Sequence, residues 1–351
     1  MNTAKTVDDS RQAQIRYNAI PSINYVTADS QGNIAYFYNA HMPAREEGWN
    51  RKKVLPGDTS ATLWKGWEPV ERLPAVINPA SGYVISANHS PLLASAPEDN
   101  PSAEDFPDSF GLDTLVTNRG LRAQVLYSED QEISREEFLE YKMDHIYDPR
   151  SNVMKMVADL VAAGAGGDAD LQAALDIIAT WDGSADRNSR PAALAILTGQ
   201  RTMGGQIHGE TTLGQAQEML KSVAAELRDT YGRIDPEWGE VSRLVRGDES
   251  WALDGGPDTL RAVYANGDMR ADGHLSGVAG DTYVAIADWA PDGTYQIDTI
   301  HQFGAATMDS RSPHFADQAP LFAEERYRQP PMLLDDLLAQ ATRDYRPSRM
   351  D

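Results

Sequence analysis

The alternation of apolar and polar residues predicts two β-hairpins, one near each end of the chain. The first pairs Ser22–Thr27 with Asn33–Asn39, which are aromatic and β-branched segments separated by turn-forming residues. The second pairs Asp281–Trp289 with Tyr295–His301 across a Pro-Asp-Gly turn. Strands are therefore expected on both sides of the middle of the chain.

The middle of the chain has helical spacing instead. A short N-terminal helix over Thr6–Asn18, capped by Thr6, precedes the first hairpin, and the tail is helical again from Gln318. The helices predicted between the hairpins are Thr114–Ser128, Arg135–Tyr147, Val153–Val161, Leu171–Trp181, Pro191–Thr198 and Leu213–Tyr231. This order favours an α+β fold whose two sheet portions belong to one layer system, and two small domains would give the same pattern.

Four regions follow from these patterns: strands and loops over 20–95, a mainly helical region over 114–232, a β and α region over 236–328, and a polar tail over 329–351. Within the first, His41–Pro91 is dense in Pro, Gly and Trp. That composition predicts ordered loops and short strands crossing the surface of a sheet, where functional residues are often found.

Composition excludes several classes of protein. The chain has 31 basic and 53 acidic residues, a net charge of −22, whereas nucleic acids and anionic membranes are bound by basic surfaces. No apolar run approaches the roughly 18–20 residues that span a bilayer, and the N-terminal residues lack the apolar core of a signal peptide. Cysteine is absent, which excludes disulfides, thiolate zinc sites and a cysteine nucleophile. A soluble, acidic, globular protein remains.

Common cofactor and metal motifs are missing from the sequence. It has no Walker loop, G-x-G-x-x-G, H-E-x-x-H or G-x-S-x-G motif. The seven histidines never occur at i, i+4, so we interpret most of them as surface or loop residues. They are His41, His89, His145, His208, His274, His301 and His314. The acidic run Glu98–Asp108 lacks EF-hand spacing and predicts a solvated loop, with a calcium site as the minority alternative.

Two segments carry unusual chemistry. A predicted strand at Tyr83–Ser86 leads into a loop that holds Asn88, whose amide N–H would suit a developing oxyanion. On residue chemistry alone, turn or capping roles for Asn88 and Ser90 are favoured. Farther on, His314 and Asp317 resemble an acid–base pair, and their spacing suits the capping of a helix start equally well.

An ordered series of motifs runs through the chain. It begins with ADSQGNIAYF at Ala28–Phe37, MPAREEG at Met42–Gly48, VLPG at Val54–Gly57, WKGWEP at Trp64–Pro69 and LPAVINPASGYVISANHSP at Leu73–Pro91. NRGLRAQV and TWDG follow, and then EWGEVSRLVRGD, GGPDTLRAVYA, VAGDTYVAIADW, IHQFGAA and SPHFADQAPLF. The earlier motifs resemble the β-chain of the penicillin amidase (penicillin acylase) family of N-terminal-nucleophile hydrolases. The last third is similar to the branch of acyl-homoserine-lactone and aculeacin acylases.

The resemblance implies an αββα sandwich with an inserted helical region, of which this chain would lack the N-terminal half. It implies hydrolysis of a linear amide by an N-terminal Ser whose own α-amine is the general base. Carried over by motif, Asn88 is the oxyanion-hole residue and Arg119 orients the active site, with Arg122 as the competing candidate. No catalytic cofactor is implied, and a structural calcium in the intact protein would draw an acidic ligand from Glu98–Asp108.

The resemblance also places the nucleophile upstream of this chain, because neither Ser10, in a polar helix-like run, nor Ser22, at a strand start, fits the family pattern. We therefore expect the C-terminal part of an acylase for acyl-homoserine lactones, penicillins or lipopeptides that is inactive alone. Its expected partners are an acylated-amide small molecule, the missing α-chain and the N-terminal part of the β-chain. Family analogy indicates a periplasmic or secreted protein. The alternative is a non-catalytic chain that pairs with a separately encoded partner or binds a ligand.

Overall fold

The computed structural model describes residues 3–17, 23–130, 132–265, 269–270 and 272–342. These ranges contain ten α-helices and ten strands, and the predicted α+β fold class is confirmed. The helices are α1 Val7–Tyr17, α2 Asn118–Glu129, α3 Arg135–Lys142, α4 Asn152–Ala163, α5 Ala169–Ile178, α6 Ala192–Met203, α7 Leu213–Tyr231, α8 Trp238–Val241, α9 Ala319–Ala323 and α10 Leu334–Gln340. The strands are β1 Ile23–Ala28, β2 Ile34–Asn39, β3 Ala75–Ile77, β4 Ser242–Arg246, β5 Glu249–Ala252, β6 Val263–Tyr264, β7 Leu275–Ser276, β8 Ala279–Gly280, β9 Tyr283–Trp289 and β10 Tyr295–His301.

The N-terminal sheet has the order β1-β2-β3, and its first hairpin confirms the predicted pairing within the described residues, which exclude Ser22. Asp29 organises the hairpin turn, because its Oδ1 accepts hydrogen bonds from the backbone N–H groups of Gln31 and Asn33. Its Oδ2 accepts from the backbone N–H of Val7 at 3.0 Å, which holds the start of α1 against the turn. As predicted, Thr6 caps α1, since its Oγ1 accepts from the backbone N–H of Asp9.

The long loop region after β2 differs from the prediction at one strand. No strand forms over Tyr83–Ser86. The backbone N–H of Ile85 donates to Ala94 O at 2.8 Å, and the Ser95 hydroxyl donates to Tyr83 O at 2.9 Å. These bonds to an irregular neighbouring segment replace the backbone ladder that a strand would need. The loop carrying Asn88 is thus held by loop-to-loop contacts.

The helices α4 to α7 build the largest hydrophobic core. Residues 192–200 of α6 are all buried, as expected of a helix surrounded by others. The helix α7 begins with a capping box between Thr212 and Gln215 and ends at Gly232, which has φ +72°. Trp238, only 1% exposed, closes this core and donates its indole N–H to Gly255 O at 2.8 Å.

The predicted C-terminal boundary of α3 is wrong. The helix predicted to reach Tyr147 ends at Lys142, because the following residues make non-helical bonds: Asp144 accepts from the backbone N–H of Ile146, and the backbone N–H of Tyr147 donates to Gly183 O. The tail, predicted to be helical from Gln318 and polar over 329–351, contains α10, whose residues are all exposed. In the described ranges, none of the helices combines the length and apolarity needed to cross a bilayer.

The C-terminal part contains a three-stranded sheet of order β5-β4-β7, the pair β6-β8 and the predicted β9-β10 hairpin, which is confirmed. Arg261, 0% exposed, joins this part to α9. Its guanidinium packs on the Phe322 ring at 4.1 Å and donates to Phe322 O at 2.6 Å. Asp281 and Glu325 balance its charge at 3.4 and 3.2 Å. Burial raises the pKa of Glu325, and Arg261 opposes that rise.

The close packing of the β6-β8 pair leads us to expect that alanine substitutions at two glycines will differ strongly in their cost to stability. Both Gly280, with φ +100°, and Gly293, with φ +84°, have left-handed backbones, so alanine at either costs about 1–2 kcal/mol. A Cβ at Gly280 would lie 1.8 Å from Ala262 O, whereas nothing lies within 4 Å of a Cβ at Gly293. Urea unfolding should therefore show a further loss of about 1–3 kcal/mol in Gly280→Ala. Equal losses in the two variants would contradict this packing.

Candidate active site around Asn88

Asn88 is an exposed residue in a loop and has a left-handed backbone with φ +56°. Asn tolerates this conformation better than most residues. The loop is pinned on both sides of Asn88: the Thr117 hydroxyl donates to Ala87 O at 3.1 Å, and the backbone N–H of Ser90 donates to Leu115 O at 2.8 Å. The segment before α2 therefore sets the position of Asn88.

The first turn of α2 brings Arg119 to Asn88. Thr117 caps the helix by accepting from the backbone N–H of Gly120, and Arg119 Nη2 donates to Asn88 Oδ1 at 3.2 Å. A guanidinium has only donors, so the carbonyl oxygen of the Asn88 amide must face Arg119. The amide N–H groups of Asn88 then face away from Arg119, free to donate to another acceptor.

Arg122, the competing candidate, faces a different partner. Its Nε and Nη2 donate to the two carboxylate oxygens of Asp144 at 3.1 and 2.7 Å. This two-point hydrogen bonding is the main reason why the pKa of Arg122 is raised. Of the two arginines, it is Arg119 that the structure places in hydrogen-bonding contact with Asn88.

Asp258 is the hub of the site. It is 5% exposed, and its Oδ1 accepts from Arg119 Nε at 3.0 Å. Its Oδ2 accepts from the backbone N–H of Asn118 at 2.6 Å and lies 3.1 Å from His208 Nε2. The Asn118 amide N–H donates to the backbone carbonyl of Asp258 at 2.9 Å. Two neighbouring α2 residues therefore hold one buried carboxylate.

Asp258 and His208 are site residues that the sequence patterns do not predict. Asp258 follows Arg119 by 139 residues, and no local pattern links the two. The spacing of the histidines predicts only a surface or loop role for His208. The one sequence signal that could have pointed to Asp258 is the Gly-Gly-Pro that precedes it, since such residues mark a backbone forced into an unusual turn.

A cavity of about 410 Å³ opens beside Asn88, and its lining brings together separate stretches of the chain. Arg119, His208 and Asp258 line it, together with Asp281. Most of these groups are polar or charged, so the cavity suits a ligand with hydrogen-bonding atoms. An acceptor atom that developed negative charge in this cavity would find the Asn88 N–H groups available.

His89, the residue after Asn88, is buried next to the site. It is 6% exposed, and its ring packs so tightly on α2 that a Cβ at Gly120 would lie 2.7 Å from His89 Nδ1. Burial, followed by the positive charge of Arg119, lowers the pKa of His89 to about 4. The ring is therefore neutral at physiological pH and packs against the start of α2.

The other predicted candidates lie outside this cavity. Ser90 caps the short 3₁₀ helix Pro91–Leu93, because its hydroxyl accepts from the backbone N–H of Leu92, which confirms the capping interpretation. His314 Nδ1 lies 2.9 Å from Asp317 Oδ2, but the pair is not among the residues lining the cavity. Neither residue caps α9, whose N-cap is Gln318, so the capping interpretation of that pair is wrong.

A metal site does not emerge from the residues that the structure describes. They contain no group of three or more His, Asp or Glu side chains that could hold a metal ion. In the loop Glu98–Asp108, Asp99 accepts hydrogen bonds from Ser81 and Ala80, and these bonds lower the pKa of Asp99. In the structure, Asp99 thus accepts hydrogen bonds from a neighbouring loop segment.

The family of this chain is shown by its similarity to known proteins. The model of the penicillin amidase family matches residues 1–337, nearly the whole chain. The chain belongs to the penicillin amidase family. The resemblance inferred from the ordered motifs is thereby confirmed.

Relatives within the penicillin amidase family are acylases. The chain is 25% identical over 234 residues to penicillin acylase 2 proenzyme of Pseudomonas sp. (strain SE83), covering 66% of this chain and 28% of that protein. It is 37% identical over 96 residues to penicillin G acylase of Escherichia coli, covering 27% and 11%. It is 23% identical over 387 aligned positions to acyl-homoserine lactone acylase PvdQ of Pseudomonas fluorescens, covering 93% and 47%. The chain thus spans less than half the length of these relatives.

A solved structure supports the fold. The thermostable penicillin G acylase from Alcaligenes faecalis superposes with a TM-score of 0.55 at 17% identity, covering 93% of this chain and 67% of that one. At this identity the likeness concerns the fold alone, and it agrees with the α+β architecture.

The lowered pKa of His89 predicts a loss of stability in mild acid. The pKa is about 4 in the folded protein, against about 6.5 for an unperturbed histidine. Between these values the unfolded chain binds more protons than the folded one, so the free energy of unfolding falls as pH drops from about 6.5 towards 4. At about 1.4 kcal/mol for each pKa unit, the full loss is about 3 kcal/mol.

Urea unfolding of the wild type and His89→Leu at about pH 7 and pH 4.5 measures this effect. The wild type should lose about 2–3 kcal/mol more than His89→Leu between the two conditions. The variant His314→Leu, at an exposed histidine, serves as the control and should behave like the wild type. If the wild type and His89→Leu lose the same amount, His89 does not titrate as described.

Proposed function

We propose that this chain supplies the oxyanion-binding part of an acylase that hydrolyses linear amides. The observation that carries the proposal is the contact between Arg119 and Asn88, since a donor-only guanidinium leaves the Asn88 amide N–H groups free. Membership of the penicillin amidase family supports the reaction class. Acyl-homoserine lactones, penicillins and lipopeptides are the proposed substrate class.

In amide hydrolysis the nucleophile attacks the carbonyl carbon, and the carbonyl oxygen takes up negative charge. Asn88 Nδ2–H donates to that oxygen in the tetrahedral intermediate. Such a preorganised donor contributes about 2.7–4 kcal/mol to transition-state stabilisation, or about 100- to 1000-fold in kcat. Arg119 acts on Asn88, and Asp258 fixes Arg119, so the donor is oriented before the substrate arrives.

The proposed nucleophile is a Ser at the N-terminus of a β-chain, upstream of this 351-residue sequence. Its α-amine, with an ordinary pKa of about 7.7–8.0, accepts the hydroxyl proton as general base. The same amine then returns the proton to the leaving nitrogen when the C–N bond breaks, and water hydrolyses the acyl-enzyme. The proposed partners are the acylated amide, an α-chain and the upstream part of the β-chain, in a periplasmic or secreted protein.

Hydrolysis assays with Asn88→Ala test the proposal. The substrates are a long-chain acyl-homoserine lactone and a phenylacetyl anilide. The protein is expressed from a gene that includes the upstream coding sequence. We expect kcat to fall about 100- to 1000-fold in Asn88→Ala with little change in KM. The matched control is Asn78→Ala, since Asn78 is also exposed with φ +47° but does not line the cavity.

Each other outcome has a definite meaning. Wild-type kcat in Asn88→Ala would contradict the oxyanion assignment. Turnover by the 351-residue chain alone, lost in Asn88→Ala, would put the nucleophile inside this chain. If no form of the protein hydrolyses either amide but one of them binds, the non-catalytic alternative is favoured.

A further inference from the structure

Backbone strain is concentrated around the Asn88 cavity. Asn88 and Asp258 have φ of +56° and +60°, and Ile207, between cavity residues Gln206 and His208, has φ +56°. Left-handed backbone costs an L-residue about 1–2 kcal/mol, and a β-branched residue adopts it least readily. Strain of this kind persists where the surrounding structure imposes it, often at a functional site.

The turn at Ile207 is held from both sides. The backbone N–H of Ile207 donates to Gly204 O at 2.8 Å, and that of Gly209 donates to Met203 O at 3.0 Å. The Asn152 amide donates to the carbonyls of His208 and Gly209 at 3.1 and 3.2 Å. Ile207, 4% exposed, is thereby buried in the helical core while its neighbour His208 lines the cavity.

His208 lies beside the hydrogen bonds that link Asp258, Arg119 and Asn88. Its Nε2 lies 3.1 Å from Asp258 Oδ2. Asp258 Oδ1 accepts from Arg119 Nε at 3.0 Å, and Arg119 Nη2 donates to Asn88 Oδ1 at 3.2 Å. A positive charge on His208 would share the Asp258 carboxylate with Arg119, and the weakened Arg119–Asp258 pair would alter the contact with Asn88.

We propose that His208 is a positioning residue whose protonation state sets, through Asp258 and Arg119, how the Asn88 amide is held. The importance of this coupling for catalysis rests on the proposed function, whereas the coupling itself does not. His208 also lines a second cavity of about 210 Å³ on the α4 side. Besides Asp258 and Arg119, the titratable groups around the two cavities are Tyr147, Arg150, Lys155, Tyr264 and Asp281, and His89 interacts electrostatically with Arg119 and Asp258.

The coupling is testable on the 351-residue chain by side-chain NMR. We would follow the Asn88 NH₂ and Arg119 Nε–H resonances and the His208 ring signals through a pH titration. We expect Asn88 and Arg119 to shift with the same midpoint as His208. In His208→Gln, which keeps a hydrogen-bonding side chain without the titrating charge, those shifts should fall at least fivefold.

The matched control is His314→Gln. It removes a histidine that also faces an aspartate, at 2.9 Å, but outside the cavity, so the Asn88 titration should persist. Midpoints of Asn88 and His208 that differ in the wild type would overturn the proposal even if His208→Gln failed to fold. Asn88 shifts that persist in a folded His208→Gln would overturn it as well.

Kinetics of the active protein separate this inference from the proposed function. In His208→Gln the acid limb of the kcat profile should shift while KM stays unchanged. If the NMR coupling is present and no amide is hydrolysed, the proposed function fails and the positioning role stands. If hydrolysis depends on Asn88 and the coupling is absent, only the positioning role fails.

Discussion

The arrangement around Asn88 depends on one buried negative charge, that of Asp258. A carboxylate that is 5% exposed must be compensated, because burial of an unpaired charge costs several kcal/mol. Arg119 and the backbone N–H of Asn118 compensate it, and His208 lies beside it. These groups come from distant parts of the chain. Because they must lie close enough to Asp258 to compensate its charge, they fix the relative positions of α2, the turn after α6 and the segment Gly255–Pro257.

This constraint makes the candidate site part of the fold. Arg119 has two tasks, since its Nε pairs with Asp258 and its Nη2 binds Asn88. Thr117 also has two, because its hydroxyl caps α2 and donates to Ala87 O. The same contacts that stabilise the start of α2 therefore orient the amide that we propose for the oxyanion. The strained backbones of Asn88 and Asp258 are held by these neighbours.

Local patterns predicted much of the secondary structure. Both hairpins and the helices of the central region followed from residue spacing, because their signals lie within a few adjacent residues. The strand at Tyr83–Ser86 failed because that segment is fixed by Ala94 and Ser95, which are remote from its own pattern. The prediction that α3 extends to Tyr147 failed for a similar reason. The hydrogen bond from the backbone N–H of Tyr147 to Gly183 O outweighs the helical propensity of this segment.

The candidate site was predictable only in part. Asn88 and Arg119 were predicted as site residues through family motifs, since residue chemistry alone favoured a turn role for Asn88. Their contact, and the choice of Arg119 over Arg122, required the structure. Asp258 and His208 were missed because their significance lies in proximity to α2, across 139 residues in the case of Asp258 and Arg119.

A double-mutant cycle between Arg119 and Asp258 tests this account most directly. The free energies of unfolding of the wild type, Arg119→Met, Asp258→Asn and the double variant would be measured in urea. If the buried pair organises the site, the two single losses should exceed the loss in the double variant by about 1–3 kcal/mol. Losses that add within about 0.5 kcal/mol would contradict the account, because Arg119 and Asp258 would then be independent.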